Sequence, residues 1–288
     1  MAIASSELIL NPDGSIYHLN LRPEDIASTI ITVGDQDRVA KVSQYFDKIF
    51  IKKRHREFLT HTGELNGKRL TVISTGIGTD NIDIVLNELD ALVNVDFETK
   101  TVKKQLTSLD IIRIGTSGVV SEDIELDTFI VSKHAIGIDN LMHFYKNYSE
   151  LENKDLRQAF NGKIDSNINF YCSSASSKWL DRVPENIFKK GITLTCSGFY
   201  APQLRSIRLS PQFDSLFTDL DNFSFEGLKV TNMEMETAGI YGLAQILGHQ
   251  AVSFNALLAS RRTGEYSRQP QQTIDHLIKT VLQLVSAK

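Results

Sequence analysis

Leu228-Lys229-Val230-Thr231-Asn232-Met233-Glu234-Met235-Glu236-Thr237-Ala238 is a short apolar run, then two glutamates around a methionine, then the start of a small-residue helix. Leu228 to Thr231 reads as a strand and Thr237 to Leu247 as a helix, and a strand feeding a helix is the unit from which α/β sheets are built. Successive strand side chains alternate faces, which predicts that Glu234 and Glu236 project together while Met235 points away. Ligands of open α/β sheets bind beyond the carboxyl ends of strands, where this pair sits. Two carboxylates this close need donors, and sugar hydroxyls suit, because an ionised carboxylate only accepts hydrogen bonds. The same residues also fit two solvated glutamates at a helix N-terminus, favoured there by the helix dipole. Taken alone, the stretch leaves both readings open.

Further runs of the same kind lie on either side. Ile30 to Val33 is β-branched and ends at Gly34-Asp35, after which Arg38 to Phe46 has the spacing of an amphipathic helix. Leu59 to Leu65 and Arg69 to Ser74 flank Asn66-Gly67, a strong hairpin signal, and Asn81 to Val93 follows as a helix. Asp96 to Ser108 is polar and lysine-rich, a surface excursion. Asp110 to Ile114 predicts a strand closed by Gly115-Thr116-Ser117-Gly118, and Thr128 to Ser132 predicts another. Residues 140–170 read as a long connection around a helix from Asn153 to Phe160. Ser174 to Val183 predicts a helix, Thr193 to Thr195 a strand and Phe199 to Asp214 a loop. Ala251 to Ala259 predicts a buried strand and Gln272 to Ser286 a terminal amphipathic helix. Strands alternating with helices, without repeats or a linker, predict an α/β class. The expected architecture is one domain over 29–288, a twisted mixed β-sheet flanked by helices, after an irregular arm over 1–28.

A chain of 288 residues, 41% hydrophobic and 23% charged, can bury a core for one large domain or two smaller ones. A net charge of -4 argues against a surface built for nucleic-acid phosphates, so any anion site must be local. Two cysteines, Cys172 and Cys196, are too few for a disulfide framework or a cysteine-based zinc site, and a reduced, cytoplasmic location is expected. No leader is read in Met1 to Pro12, and no run reaches the length of a membrane span. The seven histidines are scattered without metal-ligand spacing, so no metal site is expected.

Chemistry concentrates where apolar strands meet glycines. Val33-Gly34-Asp35-Gln36-Asp37-Arg38 lets backbone approach a ligand and opens a helix whose first N–H groups can face an anion. Ser74-Thr75-Gly76-Ile77-Gly78 is the second such stretch, and Arg113-Ile114-Gly115-Thr116-Ser117-Gly118 the third. None has dinucleotide or Walker spacing. An arginine within an apolar strand needs an anionic partner, so Arg113 forms an internal salt bridge or meets a bound anion. Arg38 also reads as a solvated helix charge, and Arg56 as part of the charged edge Arg54-His55-Arg56-Glu57. Together the three guanidinium groups suit inorganic phosphate, a dianion that forked donors recognise. In Phe199-Tyr200-Ala201-Pro202-Gln203-Leu204-Arg205, an aromatic ring with an amide and a guanidinium could stack on a planar heterocycle and bond its edge. Phe199 and Tyr200 as core residues, with Arg205 on the surface, is the competing reading.

Five motifs occur in order: Gly34-Asp35-x-x-Arg38, His55-Arg56-Glu57-Phe58, Ser74-Thr75-Gly76-Ile77-Gly78, Arg113-Ile114-Gly115-Thr116-x-Gly118 and Glu234-Met235-Glu236. From about Tyr17 onward the chain thereby resembles nucleoside phosphorylases of the uridine phosphorylase/hexameric purine nucleoside phosphorylase superfamily, its uridine-cleaving members above all. The resemblance implies that Gly34, Arg38, Arg113 and Thr116 hold phosphate, with Arg56 supplied across a dimer interface. It implies that Met235 and Glu236 bind ribose, supported by Glu234, and that His18 reaches a neighbour's ribose. Phe199 would pack against the nucleoside, Gln203 and Arg205 would read the polar edge of uracil, and Arg261, with Arg262 beside it, would back that pair. Arg205, Gln203, Arg113 and Glu236 are the expected catalytic residues.

The same resemblance implies phosphorolysis of uridine, with inorganic phosphate as co-substrate, no organic cofactor, and a homo-oligomer of shared sites, dimer-based and hexameric. A monovalent cation near Glu57 at a dimer interface is compatible with it. Purine-cleaving relatives place an aspartate after the late strand, whereas Leu257-Leu258-Ala259-Ser260-Arg261 has no acid. An arginine does not give up its proton at neutral pH, but it can stabilise negative charge on a departing pyrimidine. A purine nucleoside phosphorylase, a nucleoside hydrolase and a non-catalytic nucleoside-binding protein are the alternatives.

Overall fold

The computed structural model describes residues 2–213 and 220–287; Met1, Lys288 and Asp214, the last residue of the expected loop, lie outside them. In chain order the strands are β1 Thr29–Val33, β2 Lys48–His55, β3 Phe58–Leu65, β4 Lys68–Ser74, β5 Val95–Asp96, β6 Thr101–Val102 and β7 Asp110–Val119. They continue as β8 Phe129–Gly137, β9 Tyr171–Ser174, β10 Phe188–Thr195, β11 Ser224–Phe225, β12 Leu228–Glu234 and β13 Gln250–Ser260. The longer helices are Gln36–Ser43, Thr79–Asn94, Lys154–Phe160, Thr237–Leu247 and Pro270–Ser286.

Among the described residues, all strands but the β5–β6 pair join one eleven-stranded mixed sheet, ordered β11-β12-β10-β8-β13-β7-β1-β4-β3-β2 with β9 beside β8. β1 lies between β4 and β7, parallel to both, and all of Thr29-Ile30-Ile31-Thr32-Val33 is buried. A strand covered on both faces reads as a continuous β-branched run. The edge strand β2 instead alternates exposed and half-buried positions, and its exposed lysines and arginine discourage pairing with another chain. Asn66 (φ 54°) and Gly67 (φ 77°) form the β3–β4 turn in the left-handed conformation that a two-residue hairpin requires.

Helices cover both faces. Ile30, Ile73 and Ile111 pack under helices Thr79–Asn94 and Thr237–Leu247, together with Leu8, Ile16 and Leu19 from the N-terminal segment. Their strand neighbours Ile31, Val72 and Ile112 pack on the other face against Val39, Val42, Leu277 and Val281. The alternation follows from the strand period of two.

Half of the sheet closes on itself. β7 pairs β13, β13 pairs β8, β8 pairs β10, β10 pairs β12, and Asn232 and Met233 of β12 pair back to Val119 and Gly118 of β7. That closure corrects the expected strand Asp110–Ile114. The strand runs through Gly115-Thr116-Ser117-Gly118 to Val119, because those residues still have partners on β13 and β12. β8 likewise continues to Gly137 and β12 to Glu234. The expected helix Ser174–Val183 shrinks to Ser177–Leu180, since Tyr171–Ser174 pairs with β8 as β9. The excursion over 96–108 opens on the small β5–β6 ladder. Through Phe213, the loop after Phe199 holds one 3-10 turn, Ala201–Gln203.

Candidate active site

A cavity of about 840 Å³ opens beyond the carboxyl ends of β1, β4, β12 and β13 and along β7. Gly34, Arg38, Arg113, Thr116, Phe199, Gln203, Arg205, Glu234, Met235 and Glu236 all line it. Met235 therefore does not point away, as strand alternation predicted. β12 ends at Glu234, and Glu236 has φ -139° and ψ -32°, so the period of two stops one residue too early to apply.

The two glutamates are buried and do project together. Arg113, also buried, donates through Nη2 to Glu236 Oε2 (2.5 Å) and lies 3.0 Å from Glu234 Oε2. Arg113 is internally paired, as one of its two readings had it, and it also faces the cavity. Its guanidinium lies over Gly115, where a Cβ would come within 2.0 Å of Nη1. Thr195 Oγ1 donates to Glu234 Oε1 (2.6 Å), and the Glu236 N–H and Thr237 hydroxyl donate to Oε2 (3.0 and 2.9 Å). The Gly78 N–H, at a glycine with φ 97°, donates to Glu236 Oε1 (2.9 Å). Burial draws the Arg113 pKa down, but Glu234 and Glu236 outweigh it and hold the group more firmly protonated than usual. Burial pushes the Glu234 carboxyl up, against the opposing pull of Arg113 and its hydroxyl donors. The solvated-helix reading of the pair fails here.

On one side of this centre stand Gly34, Thr116 and Arg38. Asp35 caps helix Gln36–Ser43 by accepting from the Asp37 N–H (2.9 Å). Arg38 is half-buried and donates to the Ile114 carbonyl (3.3 Å), and among the described residues no carboxylate forms an ion pair with it. Burial and the neighbouring Arg113 lower its pKa, so this side carries positive charge in want of an anion.

On the other side, Gln203 is buried and Arg205 donates to its Oε1 (2.6 Å) and to the Phe199 carbonyl (2.7 Å). The Arg205 guanidinium stacks 3.7 Å from the Phe199 ring centre. Phe199 and Tyr200 are 50% and 55% exposed, which rules them out of the core. Arg261 donates to the Leu204 carbonyl (2.8 Å) and its buried Nε has no partner among the described residues. Burial, with Arg261 next in weight, brings Arg205 down to about 10, still charged at neutral pH. Arg262 turns elsewhere, to the Val120 carbonyl and Asp221, so Arg261 is the arginine behind the pair.

A cationic pocket, a pair of arginine-held carboxylates and an arginine–amide corner thus share one cavity. A family profile described as the phosphorylase superfamily matches residues 28–287. The chain belongs to the phosphorylase superfamily. Curated members include a uridine phosphorylase of Thermococcus kodakarensis, 29% identical over 92% of this chain and 84% of that protein. A DeoD-type purine nucleoside phosphorylase of Alkaliphilus metalliredigens is 26% identical over 93% of this chain and 98% of its own. A solved Trypanosoma brucei nucleoside phosphorylase, described as showing uridine phosphorylase activity, superposes with a TM-score of 0.87 at 30% identity, covering 97% of this chain and 100% of that one. The protein is an enzyme of this superfamily.

Two residues expected at a phosphorylase site lie away from this chain's own cavity. Arg56 is exposed, with its guanidinium 5.6 Å from the Tyr17 ring centre. His18, whose ring abuts Tyr17, holds Glu88 through Nδ1 (2.6 Å), while its carbonyl meets His55 (2.9 Å). The two form one surface cluster. Sequence reading gave no site role to Thr195, Thr237, Gly78 and Asn255, which hold the clamp, or to Tyr266 and Asn81, which line the cavity with Glu57. Gly78 closes one quoted motif and Thr237 adjoins another, so both were within reach; Thr195 and Asn255 carry no local signal. No helix among the described residues is long and apolar enough to cross a membrane, and no group of His, Cys, Asp or Glu among them could hold a metal.

Proposed function

We propose that the protein cleaves uridine by phosphorolysis, giving ribose 1-phosphate and uracil. The observation that carries this reading is the corner made by Gln203, Arg205 and Arg261 beside the Arg113–Glu236 clamp. Arg38 and Arg113, with the backbone at Gly34 and the Thr116 hydroxyl, suit a phosphate dianion. Glu236, with Met235 beside it, takes the ribose, and Glu234 holds Glu236 and Arg113 in place. A phosphate oxygen forms the bond to C1′ as the C1′–N1 bond breaks, and the bonding pair leaves on the base, which then gains a proton as uracil.

Positive charge builds on the sugar and negative charge on the base. Held phosphate stabilises the first and is already placed to attack. Arg205 and Gln203 are preorganised donors at the second. Phe199 supplies a ring against the nucleoside. A uracil leaving group fits this corner, because the late strand contributes Leu258 and Ala259 to the cavity and no acid to protonate a purine. The separate Arg56–His18 cluster supports assembly into at least a dimer, and by family a hexamer, in which each copy completes its neighbour's site. Phosphate is the co-substrate, no organic cofactor takes part, a monovalent cation is accommodated at the subunit interface, and the enzyme works in the cytoplasm.

Uridine, thymidine, inosine and adenosine offered with and without phosphate, following base release, test the reading. Phosphate-dependent uracil release is expected. Release without phosphate would mean a hydrolase, purine release a purine phosphorylase, and no release a binding protein. Across an enzyme dilution series specific activity should fall as the oligomer dissociates; full activity from a monomer would remove the shared site.

A further inference from the structure

The inside of the closed half-sheet is polar, and its hydrogen bonds run once round the ring. Arg113 of β7 donates through Nη1 to Asn255 Oδ1 of β13 (2.7 Å). Asn255 Nδ2 lies 3.4 Å from Ser132 Oγ of β8, which is 2.6 Å from Thr193 Oγ1 of β10. Thr193 donates to Asn232 Oδ1 of β12 (3.0 Å), and Asn232 Nδ2 donates to Ser117 Oγ (3.0 Å), back on β7. The belt uses one side chain from each of β13, β8, β10 and β12, and begins and ends on two residues of β7 in the cavity wall, Arg113 and Ser117.

We propose that Asn255 is a positioning residue for phosphate binding, acting through Arg113 as the belt's fixed acceptor. The inference rests on the phosphate role given to Arg113 above. Asn255 is fully buried and does not line the cavity, so it touches no substrate. A guanidinium only donates, so the carboxamide oxygen must face Arg113 and its nitrogen must face hydroxyls. Ser132 and Ser253 are those hydroxyls, at 3.4 and 3.3 Å. Glu234 and Glu236 hold only Nη2. Asn255 holds Nη1 and thereby stops the guanidinium plane from turning about that contact. Outer-layer partners of this kind set the direction of the group that meets the ligand, and displacements of about 1 Å at a reacting centre can cost about a hundredfold in rate.

The test titrates the full-length protein with inorganic phosphate by calorimetry, and measures KM for phosphate and nucleoside separately. Asn255→Ala should weaken phosphate binding about tenfold or more and leave the nucleoside KM within about twofold. In an Arg113→Lys background, which has no fork to orient, the same substitution should cost less than about twofold. An undiminished loss in that background, or unchanged phosphate affinity in the single variant, overturns the proposal. Should Asn255→Ala not fold, Asn255→Ser, whose hydroxyl is too short to reach Nη1, should give the same split, and unaltered phosphate binding in it likewise overturns the proposal. Phosphate titration needs no turnover, so the two readings fail separately. Wild-type protein that binds no phosphate removes the phosphorylase reading; wild type that binds it as tightly as the variants removes this one.

Discussion

Arg113 and Arg205 stand on the wall of one cavity, and the protein treats them in opposite ways. Arg113 is buried between two carboxylates, takes a third acceptor from Asn255, and is held protonated. Arg205 has an aromatic ring, an amide oxygen and a carbonyl, with a second cation nearby, and its pKa falls to about 10. The first charge is neutralised by the fold itself. The second is left without a carboxylate among the described residues, which under the proposed function frees it for transient negative charge on the base. One arginine is architecture that faces the cavity; the other rests on a loop with its charge uncompensated by any carboxylate among the described residues.

The contrast can be broken most directly by deletion. Arg113→Ala leaves two glutamates buried together and should destabilise the protein by about 3–5 kcal/mol, read as a lower denaturant midpoint at neutral pH. The loss should shrink in acid: burial raises the folded pKa of Glu234, so its penalty is full above that pKa and relieved as pH falls through it. A loss under about 1 kcal/mol would end the distinction, since that is all an exposed pair contributes.

Arg205→Ala should instead fold like wild type and lose roughly 10²–10³-fold in kcat for uridine, the usual cost of one donor to developing charge. A variant that is unstable, or one that cleaves uridine normally, would place Arg205 with Arg113.

The smallest effect sharpens the same point with a group buried neutral. His134 of β8 sits with Nδ1 2.8 Å from Ser174 Oγ, and burial lowers its pKa despite Glu226. Below the unfolded value of about 6.5 the unfolded chain takes the proton first, so stability should fall as pH drops, by at most about 1.4 kcal/mol per unit from this residue. Thermal unfolding between pH 7 and 5 should be less pH-dependent in His134→Gln; an identical slope would assign the acid sensitivity elsewhere.

How far the sequence could be read follows the same division between local and assembled features. β1 and β4 were legible because β-branched runs report burial on both faces, β13 because its run from Ala251 to Ala259 is largely apolar, and the β3–β4 hairpin because Asn66-Gly67 fits its turn. β2 escaped because its alternate lysines and arginine look like a charged run, though alternation was the signal to follow. Gly115 and Gly118 looked like a strand end, since nothing local reveals that β12 returns to pair with β7. At the site, the motif-borne site residues other than Arg56 reached the cavity, whereas Asn255 and Thr195 matter only through contacts made by distant strands.

Gly115 carries a consequence for how such a chain can change over generations. A methyl group there would overlap the Arg113 guanidinium, so a side chain at 115 forces that guanidinium out of the place where Asn255 and Glu236 hold it. Any change at 115 is therefore also a change in how Arg113 is held. The stretch that sequence reading took for a strand end is therefore among the least negotiable parts of the protein.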